Sequence, residues 1–468
     1  MKKRKHNSSE DDDDYVCSSE SEEDSIEENG YIKDDISIND GVEKSKSGSF
    51  KYFSSPFGVY NVAVLGNDSI HSWGSFITNS LSPTECHIHC EYEPLHCKFL
   101  GSKIIKNVHV GGGHIIAQLE NDRLVGWGRN CFGQLGMPSY AGGFRGESYL
   151  DYVDKWTSRV KKISLGLYHS LILLENGELY CFGYNQHGQL GIDAFGPPRK
   201  SYEIEPVLNT FSKKHSIKDI VAGYNTSMFI LEDDSVYACG YNKNGELGIG
   251  SSSFLRFAPT RVEFFDKNPV QKISLGSSHG MAILKDGSLV GWGDNGRGQV
   301  NGIAPWGNFL SPIYITIFGT DRVKDVSLGS ADGTVVLLES GELYTLGGHP
   351  LIPHSTERER KKKKVAIDVV KPTGCGLVLI AESVQHFQLG ADYVLIVKED
   401  GHLYSVGENT YGQLGIGSTK HQYRPGIIPF FEKKTFSPIL GNCRKFMFLY
   451  LMSRKTSVEI LEFICSFF

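Results

Sequence analysis

The sequence predicts an all-β protein: a seven-bladed β-propeller preceded by a disordered acidic tail. Three observations carry this. A short motif recurs seven times at a spacing of 53 to 60 residues. Glycine is in excess, 53 of 468 residues, about 11% against a usual ~7%, while proline is ordinary at 17. Acidic residues are concentrated ahead of the repeats.

The repeat is clearest over Val160–Gly191. An apolar run, Val160 to Leu165, leads into Gly166-Leu167-Tyr168-His169, and a second run, Ser170 to Leu174, leads into Glu175-Asn176-Gly177. A third, Leu179 to Phe182, ends on Gly183, and Gly188-Gln189-Leu190-Gly191 closes the unit. Short apolar runs separated by turn residues read as strands, and Asn-Gly between two of them predicts a two-residue type I′ hairpin. The same turn recurs at Asn121-Asp122, Asp233-Asp234, Asp286-Gly287, Ser340-Gly341 and Asp400-Gly401, with a weaker copy at Asn67-Asp68.

After each turn a strand ends on glycine: Gly74, Gly128, Gly183, Gly240, Gly293, Gly347 and Gly407. One unit cannot bury both faces of a small sheet, but seven arranged in a ring can. The period exceeds the ~40–45 residues of WD repeats and the ~50 of kelch repeats, and the motifs fit neither.

Residues 1–49 hold 15 acidic and 7 basic side chains, whereas the rest of the chain carries 41 basic and 39 acidic. The tail is too poor in large apolar residues to offset the entropy of ordering. Its start, Lys2-Lys3-Arg4-Lys5, is a basic cluster of the kind read by nuclear import. The start lacks a secretory apolar run, no segment is long and apolar enough to span a bilayer, and the ten cysteines are scattered. The expectation is a chain working in the nucleus, and also in the cytoplasm, with no membrane partner.

Taken together, G-x-x-H, hairpin turn, aromatic-Gly and Gly-Gln-Leu-Gly resemble the regulator-of-chromosome-condensation repeat. His114, His169 and His279 fill the histidine position; Thr226, Asp332 and Tyr393 replace it. Gly133–Gly136, Gly188–Gly191 and Gly412–Gly415 carry the last motif, with Gly245-Glu246-Leu247-Gly248 as a near copy. The likeness covers roughly residues 58–420, with the first and sixth copies degenerate. It implies a seven-bladed propeller over residues 50–450 that binds a small GTPase through loops at one end and promotes nucleotide exchange without covalent chemistry. The alternative is a propeller that serves only as a protein scaffold. Neither reading calls for a cofactor or a small-molecule substrate, and chromatin contact is a further expectation.

The resemblance makes Asp392, in Gly390-Ala391-Asp392, and Asp332, shifted by one position, the exchange candidates. Asp294, Asn295, Arg297 and Asn301, in a segment that resembles a projecting wedge, are partner-contact candidates, as are His114, His169 and His279. The histidines recur around a ring instead of forming one cluster, so a structural hydrogen bond to turn backbone is their other reading. Family members close the ring by pairing strands from the two chain ends, and Phe436–Leu451 is the candidate segment to complete the first blade. Residues 451–468 match no repeat.

Other motifs carry less. Gly291-Trp292-Gly293-Asp294-Asn295-Gly296 matches the dinucleotide-binding G-x-G-x-x-G, but no helix is expected after it. Cys86, Cys90, His96 and Cys97, with His87 and His89 between, are zinc-ligand types, yet C-x3-C-x6-C is not the paired C-x2-C spacing of structural sites. The basic run Arg360–Lys364 reads as a solvated loop with phosphate contact as the alternative.

Overall fold

A computed structural model describes residues 51–432, apart from 55–56, 59, 66–69, 78–87, 98–104, 138–147, 151–155, 193–199, 303–306, 331–332 and 348–375. The acidic tail with Lys2–Lys5, Asp332, Cys86, Arg360–Lys364 and everything after residue 432 therefore lie outside the described residues.

Among these residues the chain forms seven antiparallel sheets of four strands each, in simple up-and-down order. Blade three is representative. Its strands, A to D from first to last, are Val160–Leu165, His169–Leu174, Leu179–Tyr184 and Tyr202–Leu208. The other blades run from Lys51–Ser54 to Ile88–His96, Ile105–Val110 to Ser148–Leu150, Ile217–Ala222 to Leu255–Arg261, Val270–Leu275 to Phe309–Tyr314, Val323–Leu328 to Val378–Ala381, and Val384–Leu389 to Gln422–Ile427. The A strands touch one another in a closed circuit, one to seven and back to one, so they form the inner wall. The only helical turns among the described residues are two short 3-10 segments, Glu263–Asp266 and Pro429–Phe431.

Strand B is buried at every residue in blades two to five, as in His169–Leu174. Both its faces meet apolar neighbours, which explains the unbroken apolar runs in sequence. Seven apolar cores result, one in each gap between adjacent blades. Blades three and four, for example, are joined by Leu171, Leu173, Cys181 and Leu190 against Ile220, Phe229 and Leu231. No blade owns a complete core, so neighbours stabilise one another.

One expectation is corrected here and one falls outside the described residues. The first concerns the hairpins. Gly177 has φ +87°, but Asn176 is not in the left-handed region, so the turn is not type I′. Gly177 N donates to Leu174 O and Leu174 N to Glu178 O, which describes a type I turn followed by a one-residue bulge. The reason lies in the Asx side chain. Asn176 Oδ1 accepts from Glu178 N at 3.1 Å, and Asp233, Asp286 and Asp400 do likewise two residues on.

The second concerns ring closure. The four described strands of blade one all come from residues 51–96, and Phe436–Leu451 lies outside the described residues. Blade seven packs Leu395, Leu414 and Phe431 against Ala63, Leu65 and Trp73. Hydrogen bonds complete the joint: Trp73 Nε1 donates to Gln413 O at 3.1 Å, and Ala391 N to Gly58 O at 3.1 Å.

Candidate partner-binding face

Each blade sends its A–B and C–D loops to one end of the ring and its B–C hairpin to the other. The C–D loop is a rigid unit built from G-x-N-x-x-G-Q-L-G. In blade three, Asn185 Oδ1 accepts from Leu190 N at 3.1 Å and Gln189 Oε1 accepts from His187 N at 3.1 Å. The same pair of bonds is made by Asn130 with Gln134, Asn242 with Glu246, Asn295 with Gln299, and Asn409 with Gln413. In these five blades the asparagine stands two residues after the blade glycine, a regularity visible in the sequence. The loop amides are thereby satisfied inside a turn that leaves the intervening side chains free to project.

The histidines lie under this face, not on it. His114, His169 and His279 are at most 2% exposed, so they are not partner contacts. Their ring bonds run mainly across to the next blade, and His169 also meets the backbone of Thr226. His114 Nε2 lies 2.9 Å from Ser170 Oγ of the next blade, His169 Nε2 lies 3.0 Å from Ser227 Oγ, and His279 Nε2 lies 2.8 Å from Thr334 Oγ1. Each hydroxyl donates onward at 2.7 Å to the backbone oxygen of Gln134, Gln189 or Gln299. With its hydrogen so committed, the hydroxyl oxygen must accept, and the histidine must hold its proton on Nε2. The other ring nitrogen, Nδ1, is buried without a hydrogen-bond partner, which disfavours a second proton and keeps the ring neutral. Burial agrees, pushing these imidazoles down from 6.5 to about 3, 3 and 4 respectively. Between blades seven and one, Tyr393 and Asn61 build the same bracket: Tyr393 OH donates to Asn61 Oδ1 at 2.7 Å and Asn61 Nδ2 to Gln413 O at 2.9 Å.

Blade six departs by one residue. Gly329 N donates to Gly333 O just as Gly276 N donates to His279 O. Gly333, not Asp332, therefore takes the histidine position, and the loop before it is one residue longer.

Among the wedge candidates, Asn295 is the buried brace of its own loop. Asn301 N also donates to Asn295 Oδ1 at 3.3 Å. Asp294 is half-buried with Oδ1 accepting from Gly296 N at 2.8 Å, and Arg297 is exposed. No helix follows Gly293 among the described residues, so the G-x-G-x-x-G match has no phosphate-binding context. Of the cysteine and histidine cluster, His96 is exposed while Cys97 turns inward, 3.2 Å from Ser72 Oγ, its thiol pushed up to about 11 by burial. Among the described residues no three histidine, cysteine or acidic side chains are grouped to hold a metal.

What projects from the loop face differs around the ring. Over blades two to four it is aromatic. Phe132 lies 5.3 Å from Tyr168 and 4.9 Å from Tyr184, and Tyr184 leads through His187 and Tyr241 to Phe254 at ring separations of 5.2 to 5.6 Å. Arg129 stacks on Tyr168, its guanidinium 5.6 Å from the ring centre. Phe254 is 56% and Tyr202 42% exposed, a large apolar outlay for a surface.

Over blade seven the face carries two acids, Asp392 and Glu408. Asp392 is half-buried, with Gln413 Nε2 donating to its Oδ1 at 3.2 Å. Burial raises its pKa, the Gln413 bond lowers it, and Glu408 nearby raises it again, for a net upward shift. Glu408 Oε2 lies 2.6 Å from His421 Nδ1, which also accepts from Asn409 N at 3.0 Å. The carboxylate of Asp392 is thus held in place by a buried amide and destabilised chiefly by burial, with Glu408 adding to this and His421 opposing it. The opposite rim is different: its lysines and acids are largely paired, as in Lys106 with Asp122 and Lys218 and Lys285 with Asp234.

The architecture defines the class: a closed seven-bladed propeller with one braced loop face. The chain belongs to the RCC1-like domain family, whose pattern matches residues 55–349, and residues 400–440 match the regulator of chromosome condensation (RCC1) repeat. It is 26% identical over 336 residues to the ultraviolet-B receptor UVR8 of Arabidopsis thaliana, covering 69% of each chain. To the RCC1-like G exchanging factor-like protein of Mus musculus it is 28% identical over 280 residues, covering 57% of each. With the probable E3 ubiquitin-protein ligase HERC6 of Homo sapiens it shares 29% identity over 241 residues, 51% of this chain and only 23% of that one. Among solved structures it is similar to Prp20p of Saccharomyces cerevisiae, TM-score 0.60 at 20% identity, covering 76% of this chain and 84% of that one. Human WBSCR16 gives 0.64 at 20% identity, covering 77% and 94%. These two structural likenesses speak to the fold alone.

Proposed function

We propose that the chain is a guanine-nucleotide exchange factor for a Ran-like small GTPase, binding it through the loop face. The observation that carries this reading is the acidic sector of blade seven: Asp392, held by Gln413 and pressed by Glu408. A carboxylate so placed competes for the lysine or magnesium that holds a nucleotide phosphate. Tight binding to the empty GTPase must then weaken nucleotide binding by the same factor, so no covalent step is needed. Two relatives, the RCC1-like G exchanging factor-like proteins of mouse and human, support the direction. Prp20p, which binds Gsp1p and histones, supports a protein partner and extends the proposal to chromatin contact. Lys2–Lys5 would deliver the chain to the nucleus.

The aromatic arc of blades two to four favours a second reading, a scaffold that binds proteins without promoting exchange. Fold does not decide between them, since relatives of this chain include an ultraviolet-B receptor and a probable ubiquitin ligase. Release of a fluorescent guanine nucleotide from purified Ran, with and without the chain, separates the two. Acceleration supports exchange, and unchanged release leaves the scaffold.

A further inference from the structure

The aromatic arc of the loop face comes from two recurring positions. The residue after the blade glycine is Arg129, Tyr184 and Tyr241 in blades two to four, where blades five and seven have Asp294 and Glu408. The fourth strand opens on Tyr202 in blade three, and Phe254 stands just before it in blade four. Each blade repeats the same strand order, so equivalent positions face the same way and neighbouring copies meet. Tyr184 meets His187 at an interplanar angle of 71°, His187 meets Tyr241 at 77°, and Tyr241 meets Phe254 at 70°. Edge-to-face contacts hold the row in place, while Tyr202 and Phe254 stay exposed at its outer side.

Three cations border the row. Lys243 is exposed in the loop braced by Asn242, two residues after Tyr241. Arg256 follows Phe254 by two residues, which along a strand is the same side. Its guanidinium bonds Leu255 O at 3.3 Å and Ser251 Oγ at 3.5 Å. Arg129 donates to Tyr168 OH at 3.0 Å and lies over that ring. None of the three pairs with an acid among the described residues, in contrast to the lysines of the opposite rim. The acids nearby are Glu203, held 3.6 Å from Lys200, and Glu205 further along the same strand.

Rings at the centre and unneutralised cations at the margin match a partner that is apolar and acidic. The same cations repel a basic partner. A nucleic acid needs positive charge along its whole backbone, whereas here the cations stand apart and Glu203 and Glu205 interrupt them. We propose that the arc docks an acidic peptide segment of a partner protein. Its apolar side chains rest on Tyr184, Tyr241 and Phe254, and its carboxylates meet Arg129, Lys243 and Arg256. This names the partner chemistry of the scaffold reading above and rests on that reading; it does not depend on nucleotide exchange.

The test selects a random library of phage-displayed twelve-residue peptides on the immobilised full chain. Each enriched peptide, labelled with fluorescein, is then titrated with wild type, Phe254→Ser and Lys243→Glu. Both substituted residues are exposed, so both variants should keep the wild-type melting temperature. The enriched peptides should carry net negative charge and at least one large apolar residue, and each variant should bind them at least about tenfold more weakly. Neutral or basic peptides that Phe254→Ser fails to bind overturn the acidic partner and leave the scaffold reading standing. Peptides that bind all three proteins equally, or no enrichment, overturn the arc as a docking site. A labelled oligothymidylate that binds wild type and not Phe254→Ser, where no peptide does, also overturns the proposal and assigns the sector to nucleic acid.

Discussion

The three buried histidines predict that the ring is acid-labile well above the pH at which its carboxylates titrate. His114, His169 and His279 are held at about 3, 3 and 4 in the folded chain, against 6.5 when exposed. The unfolded chain therefore binds more protons between these values, and stability falls as pH falls through 6.5 toward the folded values. At pH 5 each histidine costs about 2 kcal/mol relative to pH 7.5, about 6 kcal/mol for the three. Glu246 works the other way: its folded value of about 7 lies above 4.5, so acidification relieves it by about 2 kcal/mol over the same range. From these four groups alone the loss is about 4 kcal/mol, a large share of a stability on the order of 5–15 kcal/mol, and His109, also lowered to about 4, adds to it. Urea unfolding of residues 47–468 at pH 7.5, 6 and 5, followed by tryptophan fluorescence, measures it. The loss should approach the full 6 kcal/mol in Glu246→Gln, and His169→Gln should remove about one histidine's share of the pH dependence. Equal stability at pH 7.5 and 5 in both backgrounds would refute the neutral, bracketed histidines.

Two further outcomes follow from the glycines and the tail. Gly183 has φ +98°, and an added Cβ there meets Tyr168 O and comes within 2.8 Å of His169 Cα. Gly183→Val should therefore lose at least about 2 kcal/mol of unfolding free energy, whereas Lys161→Ala, which gives up one exposed 3.4 Å pair with Glu232, should lose under about 0.5 kcal/mol. Deleting residues 1–10 should lower nuclear accumulation of a tagged chain and leave its melting temperature unchanged; an unchanged nuclear signal removes Lys2–Lys5 as the import element.

The blade count is legible in sequence because the third strand needs glycine where it lies against its own blade's A–B loop, as Gly128, Gly183, Gly240 and Gly293 do, and seven glycines mark that point at one period. All seven have positive φ, from +82° at Gly347 to +129° at Gly407. The brackets are less legible because each is shared by two blades. Ser170, Ser227 and Thr334 look like ordinary strand residues until the neighbouring histidine is placed against them. Asn295 reads as a contact when its loop is considered alone; alongside Asn130, Asn185, Asn242 and Asn409 it is plainly a brace. Counting from Gly329 misplaces Asp332, because the loop it counts through has one extra residue. Asn-Gly suits a type I′ turn by backbone preference, whereas the Asx side chain's own hydrogen bond selects the bulged alternative. The aromatic arc is invisible in sequence, since Phe132, Tyr184, Tyr241 and Phe254 come from three different blades and meet only once the ring closes.

The central claim is that the loop face acts on a GTPase through its acidic sector, and stopped-flow release of a fluorescent nucleotide from Ran tests it most directly. Three proteins are compared: wild type, Asp392→Ala, and Asp286→Ala on the opposite rim, where the exposed carboxylate only caps its own turn. Wild type and Asp286→Ala should accelerate release equally. Asp392→Ala should be slower by about tenfold, or about 1.4 kcal/mol, less than the 2–5 kcal/mol of a fully buried charged contact because Asp392 is half-buried. Unaltered release with Asp392→Ala, or no acceleration by wild type, would contradict the claim.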